Sequence, residues 1–319
     1  MQLFRWQGRA RNFGDELNAL LWPALMPTGW FETAGEALFL GIGSVLDGRH
    51  PTGLRKIVAG AGYGGYEAPA ALDRSWIIHW VRGPRTARAL NLPEGAGLGD
   101  PATLVGAIAP PPLPGTAGPV GFMPHFESAQ AGDWARAAAL AGLRFIDPRG
   151  EPAQVLAEVR DCRVLLSEAM HGVIVADALR VPWIAIRPRM RIHRAKWADW
   201  GDGMGLVPRW RDLPATSWTE ALRAHPLASP RAGRHLVAAG APLLGWLTPA
   251  AWADRAAAAL HDAARATPQL SADAALDRAV SRMRGALEIL RRAPFRPQCL
   301  PLPASPPVLR AHRVARVPA

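Results

Sequence analysis

The chain has 319 residues, 49% of them hydrophobic and 20% charged, enough to bury a sizeable core and long enough for two domains of ordinary size. Its 37 Lys and Arg against 26 Asp and Glu give a net charge of +11, and since only Lys56 and Lys196 are lysines, the excess is arginine. This balance excludes a disordered chain; the two distant cysteines, Cys162 and Cys299, exclude a disulfide scaffold, and scattered arginines with no accompanying recognition motif exclude nucleic acid as the expected partner.

The arginine fork suits carboxylates and phosphates, so an anionic substrate is a natural partner, although a coding bias toward Ala, Arg, Gly and Pro accounts for the same excess equally well. The first twenty residues lack the apolar stretch of a signal peptide, and no segment reaches the length of a membrane span, so a cytoplasmic protein is expected. No metal cluster is visible in the sequence.

In chain order, short apolar runs alternate with helical patterns through the first two thirds, the signature of parallel strands joined by crossover helices. The first predicted strand, Met1–Trp6, leads into "RNFGDELN", which opens a predicted helix over Asp15–Trp22. Asn12, Gly14, Asp15 and Asn18 combine an exposed turn with a carboxylate and amides suited to sugar hydroxyls; Asp15 as a plain helix cap is the competing reading. Predicted strands Ala37–Ile42 and Lys56–Ala59 each end in a glycine pair, Gly41 with Gly43 and Gly60 with Gly62. Neither pair has the context of a dinucleotide fingerprint or a P-loop, and both read as tight turns flanking one cleft, Gly43 and Gly62 being ligand-contact candidates. The strand Trp76–Val81 delivers Arg82, the first candidate for gripping phosphate or carboxylate, and Pro84 begins a helix to Leu90. Asp100 in "GDPA" is placed to orient an arginine or a hydroxyl.

Gly106–Pro119, rich in Pro and Gly, reads as an interdomain linker. Strands are predicted beyond it at Val120–Met123, Leu143–Ile146, Val164–Ser167 and Trp183–Ile186, with helices over Ser128–Ala141, Pro152–Asp161, Gly172–Leu179 and Trp218–Ala224. His125 follows the first of these strands and Asp147 with Arg149 the second. The segment "LLSEAMHGVIVADALRVPWIAI" brings Ser167, Glu168 and His171 to a strand end beside a helix N-terminus. Free amides and the helix dipole favour an anion there, and Gly172 lets a ligand approach the backbone. Arg189 and Lys196 add cations after the last strand. Two helices follow, over Pro249–Ala266 and Ala272–Arg292, the second with Leu276, Val280, Met283, Leu287 and Leu290 on one face, and then a Pro- and Arg-rich tail expected to be disordered. The expected fold is α/β, with two Rossmann-like domains over residues 1–110 and 111–226 facing a cleft, a helical segment over 227–293 and a tail over 294–319.

The order of these motifs resembles the polysaccharide pyruvyl transferases. Asn12–Asp15 matches the family's N-F-G-D start, Val81–Gly83 its V-R-G element, Gly99–Pro101 its G-D-P step, and His171 followed by Arg180-Val181-Pro182 its histidine and "G-V-P"-like helix end. The resemblance runs from the first strand to about Leu206 and looks closer to the succinoglycan-type branch. Most members carry Arg-Leu-His where this chain has Ala169-Met170-His171, and the family associates that arginine with the phosphate of phosphoenolpyruvate. The resemblance therefore leaves that part to another cation.

What the resemblance implies is a GT-B-like transferase that moves a pyruvyl group from phosphoenolpyruvate, its donor substrate, to sugar hydroxyls of an exopolysaccharide or its lipid-linked precursor, forming a ketal without a cofactor. His171 becomes the acid or phosphate partner, Glu168 or Asp15 the base, and Arg82, Arg189 and Lys196 the anion clamps. Asn12, Gly14, Asn18, Gly43, Gly62, Asp100, His125 and Gly172 complete the substrate-binding set. A lipid-linked oligosaccharide acceptor implies transient contact with the inner membrane face. A GT-B glycosyltransferase using a nucleotide sugar and a non-catalytic glycan- or anion-binding relative remain open alternatives, and the 13 tryptophans serve either sugar stacking or the core.

Overall fold

The computed structural model describes residues 1–6, 8, 10–31, 37–109, 118–188, 191–223, 249–296 and 298. Arg189, Cys299, most of the predicted linker and nearly all of the predicted tail lie outside the described residues. Two four-stranded sheets organise the rest, and every strand pairing within them is parallel. The first runs in chain order, β1 (Gln2–Leu3), β2 (Ala37–Leu40), β3 (Arg55–Ala59) and β4 (Trp76–Trp80). The second contains β5 (Val120–Met123), β6 (Arg144–Phe145), β7 (Val164–Ser167) and β8 (Trp183–Ala185) in the order β6-β5-β7-β8. Strands such as β2 and β5, buried along their whole length, carry the near-continuous apolar runs that parallel sheets covered on both faces require.

Helices α1 (Phe13–Leu25), α2 (Pro84–Ala89), α5 (Pro152–Arg160) and α6 (Met170–Ala178) stand within a few residues of their expected positions. The predicted helix Ser128–Ala141 is instead two, α3 (Phe126–Ala131) and α4 (Trp134–Leu140). The chain breaks at Gly132, where a Cβ would lie 2.3 Å from Thr216 Oγ1; that hydroxyl accepts the Asp133 N–H at 2.7 Å instead. A further helix, α7 (Arg191–Met204), had no sequence-based expectation. Its signal is the spacing of Trp197, Trp200 and Met204, all buried, at one face of a 3.6-residue period. β2 and β3, and β3 and β4, are joined by irregular loops rather than crossover helices. The first two residues of the predicted linker, Gly106 and Ala107, end a 3-10 turn, Pro101–Ala107, begun by Asp100 Oδ1 accepting from the Ala102 N–H at 2.9 Å.

One apolar cluster joins α1, the inner faces of both sheets and α6, while separate clusters cover the far face of each sheet. Trp22, Trp80, Trp183, Trp197 and Trp200 are fully buried, which assigns five of the tryptophans to packing. After α8 (Trp218–Arg223), two helices finish the described chain. The helix α9 (Pro249–Ala263) covers the second sheet with Ala256, Leu260 and Ala263; the helix α10 (Asp273–Arg292) lays Leu276, Met283, Leu287 and Leu290 on the joining cluster. Among the described residues no helix is long and apolar enough to cross a membrane.

Buried Asp177, in the last turn of α6, locks this C-terminal part to the second sheet. It accepts from Trp183 Nε1 at 2.9 Å, the Ser271 N–H at 2.8 Å and Ser271 Oγ at 2.6 Å. Removing the carboxylate leaves three buried donors without an acceptor. Asp177→Ala is expected to cost about 3 kcal/mol or more, seen as a lower urea midpoint; an unchanged midpoint would refute the lock.

Candidate active site

In the second sheet the chain passes from β5 outward to β6 and then back across β5 to β7, so the C-terminal ends of β5 and β7 border a topological switch point. His125 follows β5, and Glu168 with His171 follow β7. Glu168 bridges the crevice: its Oε2 accepts the His125 N–H at 2.9 Å and its Oε1 accepts from Ser128 Oγ at 3.1 Å. A cavity of about 270 Å³ opens here, close to the lower end of the ~300–1,000 Å³ usual for small-ligand sites. Its walls also include loops after the first sheet, with Asn12, Gly14 and Asp15 at the start of α1 and Gly43 after β2.

The N-termini of α1 and α6 meet in this wall. A Cβ on Gly14 would lie 1.9 Å from His171 Nδ1, so only glycine allows the two helices to approach this closely. No side chain caps α6, and its first-turn residues Met170 and His171 line the cavity, which turns the positive helix end toward a ligand. Behind His171, Asp100 spends Oδ1 on its own 3-10 turn and turns Oδ2 toward His171 Nε2 at 3.5 Å. Both facing atoms are buried and have no other hydrogen-bond partner among the described residues.

Asp15 stands beside this histidine. Burial raises its pKa, opposed by the nearby His171, by the hydrogen bond from Asn12 Nδ2 at 2.6 Å and by Lys196. A carboxyl pushed upward in a cavity next to a histidine suits proton handling. Lys196, reaching the cavity from α7, has its pKa lowered to about 8 by burial and by Arg82, with Asp15 and Glu127 pulling the other way.

Several expected ligand contacts are structural instead. Asn18 is fully buried and saturated: Nδ2 donates to the Asp15 and Ile42 carbonyls, while Oδ1 accepts from Trp22 Nε1 and the Ile42 N–H. Arg82 is 1% exposed and does not line the cavity. Its Nε donates to Asp199 Oδ2 at 2.9 Å, Nη1 to Ser44 Oγ and Nη2 to the Tyr63 carbonyl. Asp199 also accepts the Arg85 and Thr86 N–H groups, so the pair fastens α7 to the start of α2. Gly62 makes room for that guanidinium, since a Cβ would lie 2.2 Å from its central carbon, and a Cβ on Gly172 would meet Met123 Sδ at 2.6 Å. Gly43, with φ of +134°, does line the cavity. Arg189 lies outside the described residues.

The cavity also holds residues that the sequence had not singled out. Arg49, in the loop after β2, is held by Asp47 through two 2.6 Å hydrogen bonds and brings a second cation to the wall. Trp6, Tyr66 and Phe126 form an aromatic portion. Their signal was weak because each lies in a loop or at a helix start, where no periodicity marks it. Among the described residues no cluster of His, Cys, Asp and Glu suits a metal ion.

Residues 78–189 match the family model for polysaccharide pyruvyl transferase. The chain is 35% identical to the succinoglycan biosynthesis protein ExoV of Rhizobium meliloti (strain 1021), over an alignment covering 92% of this chain and 100% of that protein. No solved structure matches the chain.

The lowered Lys196 pKa gives anion binding a definite pH dependence. The ammonium is charged below about pH 8 and is lost as pH rises through that value, with a bound anion displacing the step upward. Sulfate, which keeps its charge, is expected to bind about tenfold more weakly at high pH than near neutrality, by titration calorimetry at constant ionic strength. Lys196→Arg, charged throughout, should abolish the step; a profile that persists in that variant would exclude Lys196 as its source.

Proposed function

The chain belongs to the polysaccharide pyruvyl transferase family, a transferase, and from its site we propose that it moves the pyruvyl group of phosphoenolpyruvate onto sugar hydroxyls of an exopolysaccharide or its lipid-linked precursor, forming a pyruvate ketal. The observation that carries this reading is the meeting of the α6 N-terminus, Lys196 and Arg49 with the Asp100–His171–Asp15 group in one cavity. The first set suits a small phosphorylated carboxylate; the second suits the proton transfers its reaction needs. The α/β halves would act in the GT-B manner, each supplying loops to one cleft.

In the first step the donor's methylene carbon takes a proton and becomes a methyl group, and the first sugar hydroxyl bonds to the adjacent carbon while losing its proton. In the second step another hydroxyl gives up its proton and bonds to the same carbon as the bond from that carbon to the phosphate oxygen breaks, and inorganic phosphate leaves carrying that proton. His171, oriented by Asp100 behind it, is the acid toward the methylene carbon. Asp15 is the better base, because Glu168 already has one oxygen engaged by the His125 amide and the other by Ser128. Lys196, Arg49 and the α6 amides hold the phosphate and carboxylate as charge builds on the leaving group. In this chain Arg49 and Lys196 stand in for the cation missing at Ala169.

A thermal shift with phosphoenolpyruvate and with a panel of nucleotide sugars tests the donor, because a ligand that binds the folded state raises the melting temperature. Stabilisation by phosphoenolpyruvate is expected; a shift with a nucleotide sugar alone would replace this reading by glycosyl transfer. For catalysis, His171→Ala should lower kcat by about 10²–10⁴-fold. Asp100→Asn, which keeps the oxygen that caps the 3-10 turn, should lower kcat about tenfold or more with little change in melting temperature. Full activity in His171→Ala would remove the proposed acid.

A further inference from the structure

The cavity wall combines two kinds of chemistry: the α6 N-terminus, His171, Lys196 and Arg49 supply positive charge and donors, and Trp6, Phe126 and Tyr66 supply aromatic rings. Trp6 follows β1 in the first sheet, and Phe126 opens α3 after β5 in the second, yet their ring centres lie 6.3 Å apart with a 55° tilt. Phe126 in turn packs on the His125 ring at 4.6 Å. Tyr66 stands beside the cation: it is 41% exposed, and Lys196 Nζ lies 5.5 Å from its ring centre. Burial pushes its hydroxyl up to about 12, so it remains a hydrogen-bond donor at working pH.

Apolar rings lining a ligand cavity are left wet unless something flat and partly apolar covers them. One face of a pyranose ring presents a patch of C–H bonds with partial positive charge, complementary to the negative face of an aromatic ring. Its hydroxyls point outward around the rim of that patch. The same cavity wall carries the polar groups of Asn12, His125 and Glu127. Asp15 and His171, where a base and an acid are wanted, line the same cavity as the rings.

We propose that Trp6, Phe126 and Tyr66 form the acceptor subsite, stacking on the C–H face of a hexopyranose and presenting its hydroxyls to Asp15. The proposal rests on the pyruvyl-transfer reading for the identity of the second substrate, but its geometry is independent of the donor. It makes the aromatic group the element that selects the acceptor, and it requires both sheets, since Trp6 and Tyr66 come from loops of the first and Phe126 from the second.

The test is saturation-transfer NMR on the full chain with methyl β-glucopyranoside and methyl β-galactopyranoside as probes, and uridine as a competing flat ring. Saturation confined to the ring protons of one pyranose face is expected, with affinity lowered about tenfold in Trp6→Ala and in Tyr66→Ala and largely kept in Trp6→Phe and Tyr66→Phe. Phosphoenolpyruvate should stabilise the alanine and phenylalanine variants as it does the wild type, which also shows that they are folded. Equal saturation in the wild type and the alanine variants, no saturation of either pyranoside, or displacement of both by uridine would overturn the aromatic subsite. Failure of phosphoenolpyruvate to stabilise the wild type would instead strike the donor reading, so the two failures are read from different signals.

Discussion

The contact between Gly14 and His171 is the constraint on which the site depends. It places the first turn of α1 against the first turn of α6, two elements that follow strands of different sheets, with no room for a side chain between them. Because both helix starts lie at the C-terminal ends of parallel strands, the contact gathers two sets of loops around one cavity. It also fixes which way the histidine faces. One ring nitrogen is directed at the α1 start and the other at Asp100, so the ring is held between the two halves.

Around this contact the fold invests its buried polar groups in position rather than in ligand binding. Asn18 fastens α1 to Ile42, just past β2, with two of its four hydrogen bonds, and the Arg82–Asp199 pair fastens α7 to the loops of the first sheet. A buried ion pair of this kind contributes little net stability over an apolar replacement, but breaking it by removing one partner is costly, so it specifies an arrangement. Here the arrangement it specifies is the placement of α7, the helix that carries Lys196 into the cavity. The cations that do face the cavity, Lys196 and Arg49, keep part of their surroundings open and remain available to an anion.

The cavity therefore brings three kinds of chemistry together: helix amides with cations, aromatic rings, and the pair Asp15 and His171 all line one wall. The proposed joining of a small anion to a sugar calls for such a mixture, since those two substrates share almost no surface chemistry. The cations and the rings each draw on both sheets, so under that proposal neither substrate site is complete in one half.

The sequence by itself determined the alternation of strands and helices, since burial on both faces forces apolar runs in parallel strands, and it determined the family through motifs at the strand ends. His171, Glu168 and Asp15 were legible because strand-to-helix turns put polar residues in a recognisable local context, and Lys196 only as a cation following the last strand. Arg82 follows a strand in the same way and Asn18 belongs to the same motif as Asp15, yet the tertiary structure turns them inward, because a partner more than twenty residues away, Asp199 or Ile42, takes their hydrogen bonds. No local pattern encodes such a partner. The same holds for Arg49, Trp6, Tyr66 and Phe126, which lie in irregular segments and acquire meaning only where the sheets bring them to one cavity, and for Gly14, whose need for a missing side chain exists only once His171 is packed against it.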